Sequence, residues 1–235
     1  MAWFNFLDKN CNDYGIVVEK YPSLFIPVKS FEKVNIAGND KAEYRAGTYD
    51  PITLSIECYL KDRSPQKIRE ISKWLNSKSE GKLILGNDPN FYHNARIINA
   101  IPINKVINLF GRFIIQFECE PFVYSLEEEV ITITTNTKIT TSTKIENKGI
   151  TVSKPIYKLY GNGEAKIKVN ESEVTLYGVS DYVEIDTELM ECYKDNISLN
   201  TSMSGNYTSL WLNEGINNIE FTGASKIEII PKWRY

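Results

Sequence analysis

The segment GRFIIQFECEPFVY, residues 111–124, sets Glu118 and Glu120 on either side of Cys119. Paired carboxylates beside a thiol are the raw material of a hydrolytic site. Two residues apart on a strand, the acids would lie roughly 7 Å apart along one face, a separation that suits glycosidase carboxylates. Alternation gives a plainer account. Phe113, Ile115, Phe117 and Cys119 share one face of such a strand; Arg112, Ile114, Gln116, Glu118 and Glu120 share the other. Cys119 then points into a core, and the two glutamates form a solvated or ion-paired face. Pro121 cannot donate to a ladder and is expected to end the strand.

Other groups that could do chemistry are scattered. His93, in NFYHNARI, is the chain's single histidine. It could serve as base to a cysteine, but a structural or surface role is the expectation. Cys11, Cys58, Cys119 and Cys192 are far apart in sequence and form no CxxC pair. Zinc needs clustered ligands at fixed spacing, so four free buried thiols are expected. Asp181, Glu184, Asp186, Glu188 and Glu191 are numerous enough for calcium but lack the glycine-centred loop of alternating carboxylates; a solvated edge is expected. Tyr157, Tyr160, Tyr177, Tyr182, Tyr193, Tyr207, Trp211 and Trp233 could stack on sugar rings, although core and rim positions account for most such residues. The sequence has no nucleophile elbow, P-loop, HExxH or GxGxxG motif. No catalytic residue, cofactor or metal is expected.

The elements that carry these residues are mostly strands. ITLSIECYL (residues 52–60) alternates Ile52, Leu54, Ile56 and Cys58 with Thr53, Ser55 and Glu57. KLIL, ARIINAIPI and GRFIIQFECE read as further strands. SPQKIREISKWLN breaks the pattern. Ser64 is a good N-cap, Pro65 fits the first helical position, and Ile68, Ile71, Trp74 and Leu75 form one apolar stripe. One amphipathic helix on a sheet is expected. Beyond Tyr124 the composition turns acidic and then threonine-rich, and threonine favours strands. Residues 127–129 read as a join between domains 1–128 and 129–235. The second domain reads as short strands divided by GNG (161–163), NES (170–172), NEGIN (213–217) and TGAS (222–225), a β-sandwich of ordinary size.

Composition narrows the function classes. The 235 residues are 24% charged and 42% hydrophobic, as in packed proteins rather than disordered ones. Twenty-seven basic against 30 acidic side chains leave a net charge of −3, with no sign of a nucleic-acid surface. No apolar run approaches the ~18–20 residues that span a bilayer, so no membrane insertion is expected. MAWFNFLDKN has no signal-peptide pattern, and synthesis in a reducing cytosol is expected.

Taken in order, these segments resemble a known family. NDYGIVVEKYP, EKVNIAGNDKAEYRAGTYDPITLSIEC, the helix with IREISKWLNSKSEGKLILGNDPNFYHNARI, and GRFIIQFECEPFVY resemble the N-terminal domain of the distal tail protein (Dit) family of long-tailed phages infecting Gram-positive hosts. YGNGEAKIKVN, VTLYGVSDYVEIDTELMECYKDN and LNEGINNIEFTGASKIEIIPKWRY resemble its C-terminal domain. The segment IAGND departs from the family's more usual Pro-Gly-Arg-Asp type of turn. No large insertion marks the extra carbohydrate-binding modules of longer relatives.

The resemblance implies a mainly β protein. Its N-terminal half would be a tail-tube-like β-sandwich or split barrel with one α-helix, and its C-terminal half a galectin-like β-sandwich. It implies a homohexameric ring at the virion tail tip, made in the host cytoplasm. The ring would join the tail tube protein to a tail-associated fibre or lysin protein, carry receptor-binding components, and line a channel that passes DNA without binding it specifically. Residues 32–48 read as a long hairpin with Gly38, Asn39 and Asp40 at its tip; an ordinary surface hairpin is the plain alternative, and the resemblance implies an arm reaching a neighbouring subunit, with Glu32, Asn35, Gly38, Asn39, Asp40, Tyr44 and Arg45 as candidate contacts. The alternative class is a carbohydrate-binding module contacting host saccharide.

Overall fold

Ser64 and Pro65 start a helix where their chemistry favours one. In the computed structural model, which describes residues 2–23, 26–34, 43–99, 111–135 and 140–235, helix α1 spans Pro65–Leu75. Ser64 Oγ accepts the Lys67 N–H, satisfying a donor that the first turn leaves open. Ile68, Ile71, Trp74 and Leu75 are buried on its inward stripe. Trp74 anchors it. The indole stacks on Tyr14 with ring centres 4.3 Å apart, and its Nε1–H donates to the Phe6 carbonyl at 3.0 Å. A large apolar body is thus buried with its one polar atom paired.

The chain divides into two compact units, Met1–Leu126 and Glu127–Tyr235. The first holds α1 and strands β1 (Phe4–Phe6), β2 (Lys9–Asn10), β3 (Ile16–Lys20), β4 (Lys29–Val34), β5 (Glu43–Tyr49), β6 (Ile52–Leu60), β7 (Gly81–Leu85), β8 (Asp88–Ile97) and β9 (Arg112–Ser125). Seven strands form one antiparallel sheet in the order β2-β1-β7-β8-β9-β6-β3. Its core joins Phe4, Phe6, Leu54, Ile56, Leu83, Ile115, Phe117 and Cys119 to the buried stripe of α1. Phe117 meets Phe4 and Phe6 edge-on, at 6.0 and 5.0 Å between ring centres, a favoured aromatic geometry. Phe113, expected in the core, is half-buried at its margin.

Strand β9 corrects one expectation. Pro121 does not end it; the strand runs on to Ser125. Ala95 faces Cys119 and His93 faces Val123, so one residue of β8 lies opposite three of β9. Pro121 sits in this bulge, where no ladder N–H is required. The extra residues also reset the alternation: Cys119 is buried, then Phe122 and Tyr124.

The second unit contains β10 (Ile131–Thr134), β11 (Thr141–Asn147), β12 (Ile156–Val169), β13 (Ser172–Asp186), β14 (Glu191–Lys194), β15 (Ile197–Ser198), β16 (Met203–Ser204) and β17 (Gly215–Ile230). They form one eight-stranded sheet around the β17-β12-β13 centre. Here the expectation of short strands is wrong. β12, β13 and β17 have 14, 15 and 16 residues. GNG and TGAS are bulges within β12 and β17, not turns between strands. At this bend the backbones nearly touch. A Cβ on Gly223, whose φ is +79°, would lie 2.1 Å from the Glu164 carbonyl oxygen. Only glycine fits both the conformation and the space. Tyr157, Leu159, Ile167, Val183, Ile185, Phe221, Ile227 and Ile229 fill the core. Fold class is as expected: mainly β, with the α-helix in the first unit.

Candidate assembly surface

Among the described residues, strands β4 and β5 pair only with each other, forming a two-stranded sheet apart from the seven-stranded one. Phe31 faces Ala46, Glu32 faces Arg45, Lys33 faces Tyr44 and Val34 faces Glu43. At the root, Ser30 Oγ–H donates to the Thr48 carbonyl at 2.8 Å, and Lys29 Nζ lies 5.0 Å from the centre of the Tyr49 ring. Tyr49 in turn meets Phe122 edge-on at 4.8 Å. A lone hairpin is marginal in water. This one also exposes apolar side chains, Phe31 at 60% and Tyr44 at 65%, and the segment that leads into β4 exposes Ile26 at 87% and Val28 at 66%. Glu32 and Arg45 are exposed beside them. Asn35, Gly38, Asn39 and Asp40 lie outside the described residues. Ile26, Val28 and Phe31 escaped sequence reasoning, because an apolar residue is ordinarily read as core.

The residues singled out for chemistry are used otherwise. Glu118 forms an ion pair with Arg96, its cross-strand partner. Glu120 accepts from Asn94 Nδ2 at 3.0 Å and from the Tyr124 hydroxyl at 3.2 Å. Together with Glu80, Tyr49 and Pro51 they border a cavity of about 250 Å³ at the β9 bulge. Cys119 is buried there, and burial pushes its thiol up to about 12, far from a thiolate at neutral pH. Cys11, Cys58 and Cys192 are also buried and free, each with its thiol raised by burial. His93 is 6% exposed, its Nδ1 has no hydrogen-bond partner, and burial holds its pKa below the usual imidazole value against the pull of Asp88.

The second unit's acids are engaged as well. Asp186 is buried rather than on a solvated edge. It accepts the N–H groups of Glu188 and Leu189 at 2.9 and 3.0 Å and faces Lys232 Nζ at 3.3 Å. Glu188 pairs with Lys154 and Arg234, Glu184 with Lys158, and Asp181 with Lys194. No group of three or more possible metal ligands occurs among the described residues. Of the tyrosines, Tyr157 is core and its hydroxyl donates to the Leu210 carbonyl. Tyr160 and Tyr182 lie on the outer face, but lysines cover their rings: Lys226 at 3.8 Å and Lys158 at 4.1 Å from the ring centres. A sugar would have to displace both cations to stack there.

Comparisons with known proteins agree with this geometry. No curated protein sequence is similar enough to match. Among solved structures, the chain resembles the Dit protein of phage SPP1, described as a paradigm of hub adsorption apparatus in phages infecting Gram-positive bacteria. The TM-score is 0.72 at 14% identity, covering 97% of each chain. It also resembles a chain of the phage p2 baseplate in its strontium-activated conformation, with a TM-score of 0.56 at 11% identity and 97% coverage of each chain. Residues 9–119 match the family of the phage tail protein RIFT-related domain. The first unit thus matches a phage tail-protein domain over residues 9–119, and the chain shares its fold with the SPP1 Dit protein over 97% of both chains.

Proposed function

We propose that this chain is a structural subunit of a phage tail tip, a Dit-type hub that assembles as a homohexameric ring. The observation that carries the reading is the likeness to a hub protein over 97% of both chains. The ring joins the tail tube protein on one side to a tail-associated fibre or lysin protein on the other, and gives receptor-binding components a platform. Its centre passes genomic DNA, and the net charge of −3 suits a conduit that must not hold a polyanion. The chain is made in the host cytoplasm and works at the tail tip. The first unit forms the ring; the second is a galectin-like sandwich.

The β4–β5 hairpin supports the ring. Its exposed apolar residues need a cover, and a closed ring provides one through heterologous contacts, in which a patch on each subunit meets a different patch on the next. Glu32, Asn35, Tyr44, Arg45 and the tip candidates Gly38, Asn39 and Asp40 belong to this proposed arm. Negative-stain microscopy of the purified protein is the test. Six-fold rings with a central hole are expected; monodisperse single subunits at high concentration would overturn the proposal.

A further inference from the structure

Asn162-Gly163 is the one Asn-Gly pair in the sequence. It sits at the β12 bulge, exposed on both residues. Gly163 has a φ of +96°, and among the described residues no atom beyond its chain neighbours lies within 4 Å of where its Cβ would be, so the side-chain side of this residue is open. The β12–β13 register slips directly after it. Opposite, the Asp181 backbone N–H donates to Asn162 Oδ1 at 3.1 Å. That bond fixes the amide with its oxygen held inward. It also polarises Cγ and stabilises negative charge developing on Oδ1, as an oxyanion donor does.

We propose that Asn162 is a site of spontaneous deamidation in the folded protein, so that the bend of the second unit carries a built-in ageing mark. The Gly163 nitrogen gives its proton to hydroxide and attacks Cγ of Asn162. The Cγ–Nδ2 bond breaks and ammonia leaves, forming a succinimide. Water then opens the ring at either carbonyl, giving aspartate or isoaspartate; no oxidant or reductant takes part. The product adds a carboxylate beside Glu164 and Asp181. Isoaspartate also inserts a methylene into the β12 backbone. The backbone just before it is tightly packed: a Cβ on the adjacent Gly161 would lie 2.7 Å from the Gly223 carbonyl.

The test is to age the intact folded protein in mildly alkaline buffer, map its peptides by mass spectrometry, and label isoaspartate with protein isoaspartyl methyltransferase. Conversion at Asn162 is expected several-fold faster than at exposed Asn76, which precedes serine. The label should disappear in Asn162→Gln, and the aged wild type should melt at lower temperature than aged Asn162→Gln. Conversion at Asn76 ahead of Asn162, or conversion at Asn162 only after unfolding in urea, would overturn the assignment.

Discussion

The two units solve the same problem, covering an apolar sheet face, in opposite ways. The first lays a capped helix on its sheet and leaves a hairpin and the segment leading into it with Ile26, Val28, Phe31 and Tyr44 open to solvent. The second bends one sheet through stacked bulges and secures its own ends. Trp233 Nε1–H donates to Glu129 at 2.8 Å, Lys148 pairs with the same carboxylate, and Lys232 holds Asp186. Its exposed apolar residues, among them Ile150, Tyr177, Leu189, Ile197 and Ile216, are dispersed over turns, bulges and strand starts. The first unit leaves a cluster of apolar side chains uncovered; the second ties its ends together. That difference suits a ring-forming half joined to a self-sufficient half.

If the units hold themselves together separately, each can be broken alone. Phe117→Ala should destabilise the first unit by about 3–5 kcal/mol, the range for deleting a buried aromatic. The second unit should keep its transition in a calorimetric scan, so a single shifted transition would count against independence. Gly223→Ala is the counterpart in the second unit. A left-handed conformation and a collision with the Glu164 carbonyl together should cost roughly 2–4 kcal/mol. The same scan should then show the lower-melting transition in the second unit.

Acid should separate the units more gently. The folded-state pKa of His93 lies below the ordinary value of about 6.5, because burial disfavours the imidazolium. The unfolded chain therefore binds the proton more readily. The stability that neutral His93 contributes is full above the unfolded value and is lost as pH falls through the folded one. First-unit melting followed from neutral to mildly acidic pH should fall accordingly, and His93→Leu should flatten that slope; an unchanged slope would refute the assignment. The smallest effects belong to the two glutamates. Glu118→Gln and Glu120→Gln should each cost less than about 1 kcal/mol, since surface ion pairs contribute little. Unfolding of the first unit by either, seen by circular dichroism, would show that the face assignment of β9 is inverted.

What could be read in advance follows the locality of the signal. Helix α1 was legible because Ser64, Pro65 and the Ile68–Ile71–Trp74–Leu75 stripe all act within a few residues. The face assignment of β9 held up to Cys119 for the same reason. It failed at Pro121, because whether a proline ends a strand or sits in a bulge depends on what the partner strand offers. Gly161, Gly163 and Gly223 were misread similarly: glycine serves tight turns and bulges alike, and only the stacking of β12 against β17 separates them. The family resemblance drew on ordered motifs along the whole chain, and the comparisons returned a phage tail-protein domain over residues 9–119 and the fold of a Dit protein. The exposed apolar residues of the hairpin were hidden, since exposure is a property of the fold rather than of residue type.

The central claim is that the first unit's hairpin builds a ring, and solution mass tests it most directly. Light scattering of the full chain should give a hexamer. A variant with Ile26, Val28, Phe31 and Tyr44 all changed to serine should give a folded monomer with both melting transitions retained. A monomeric wild type at high concentration, or a hexamer that persists in the variant, would contradict the account.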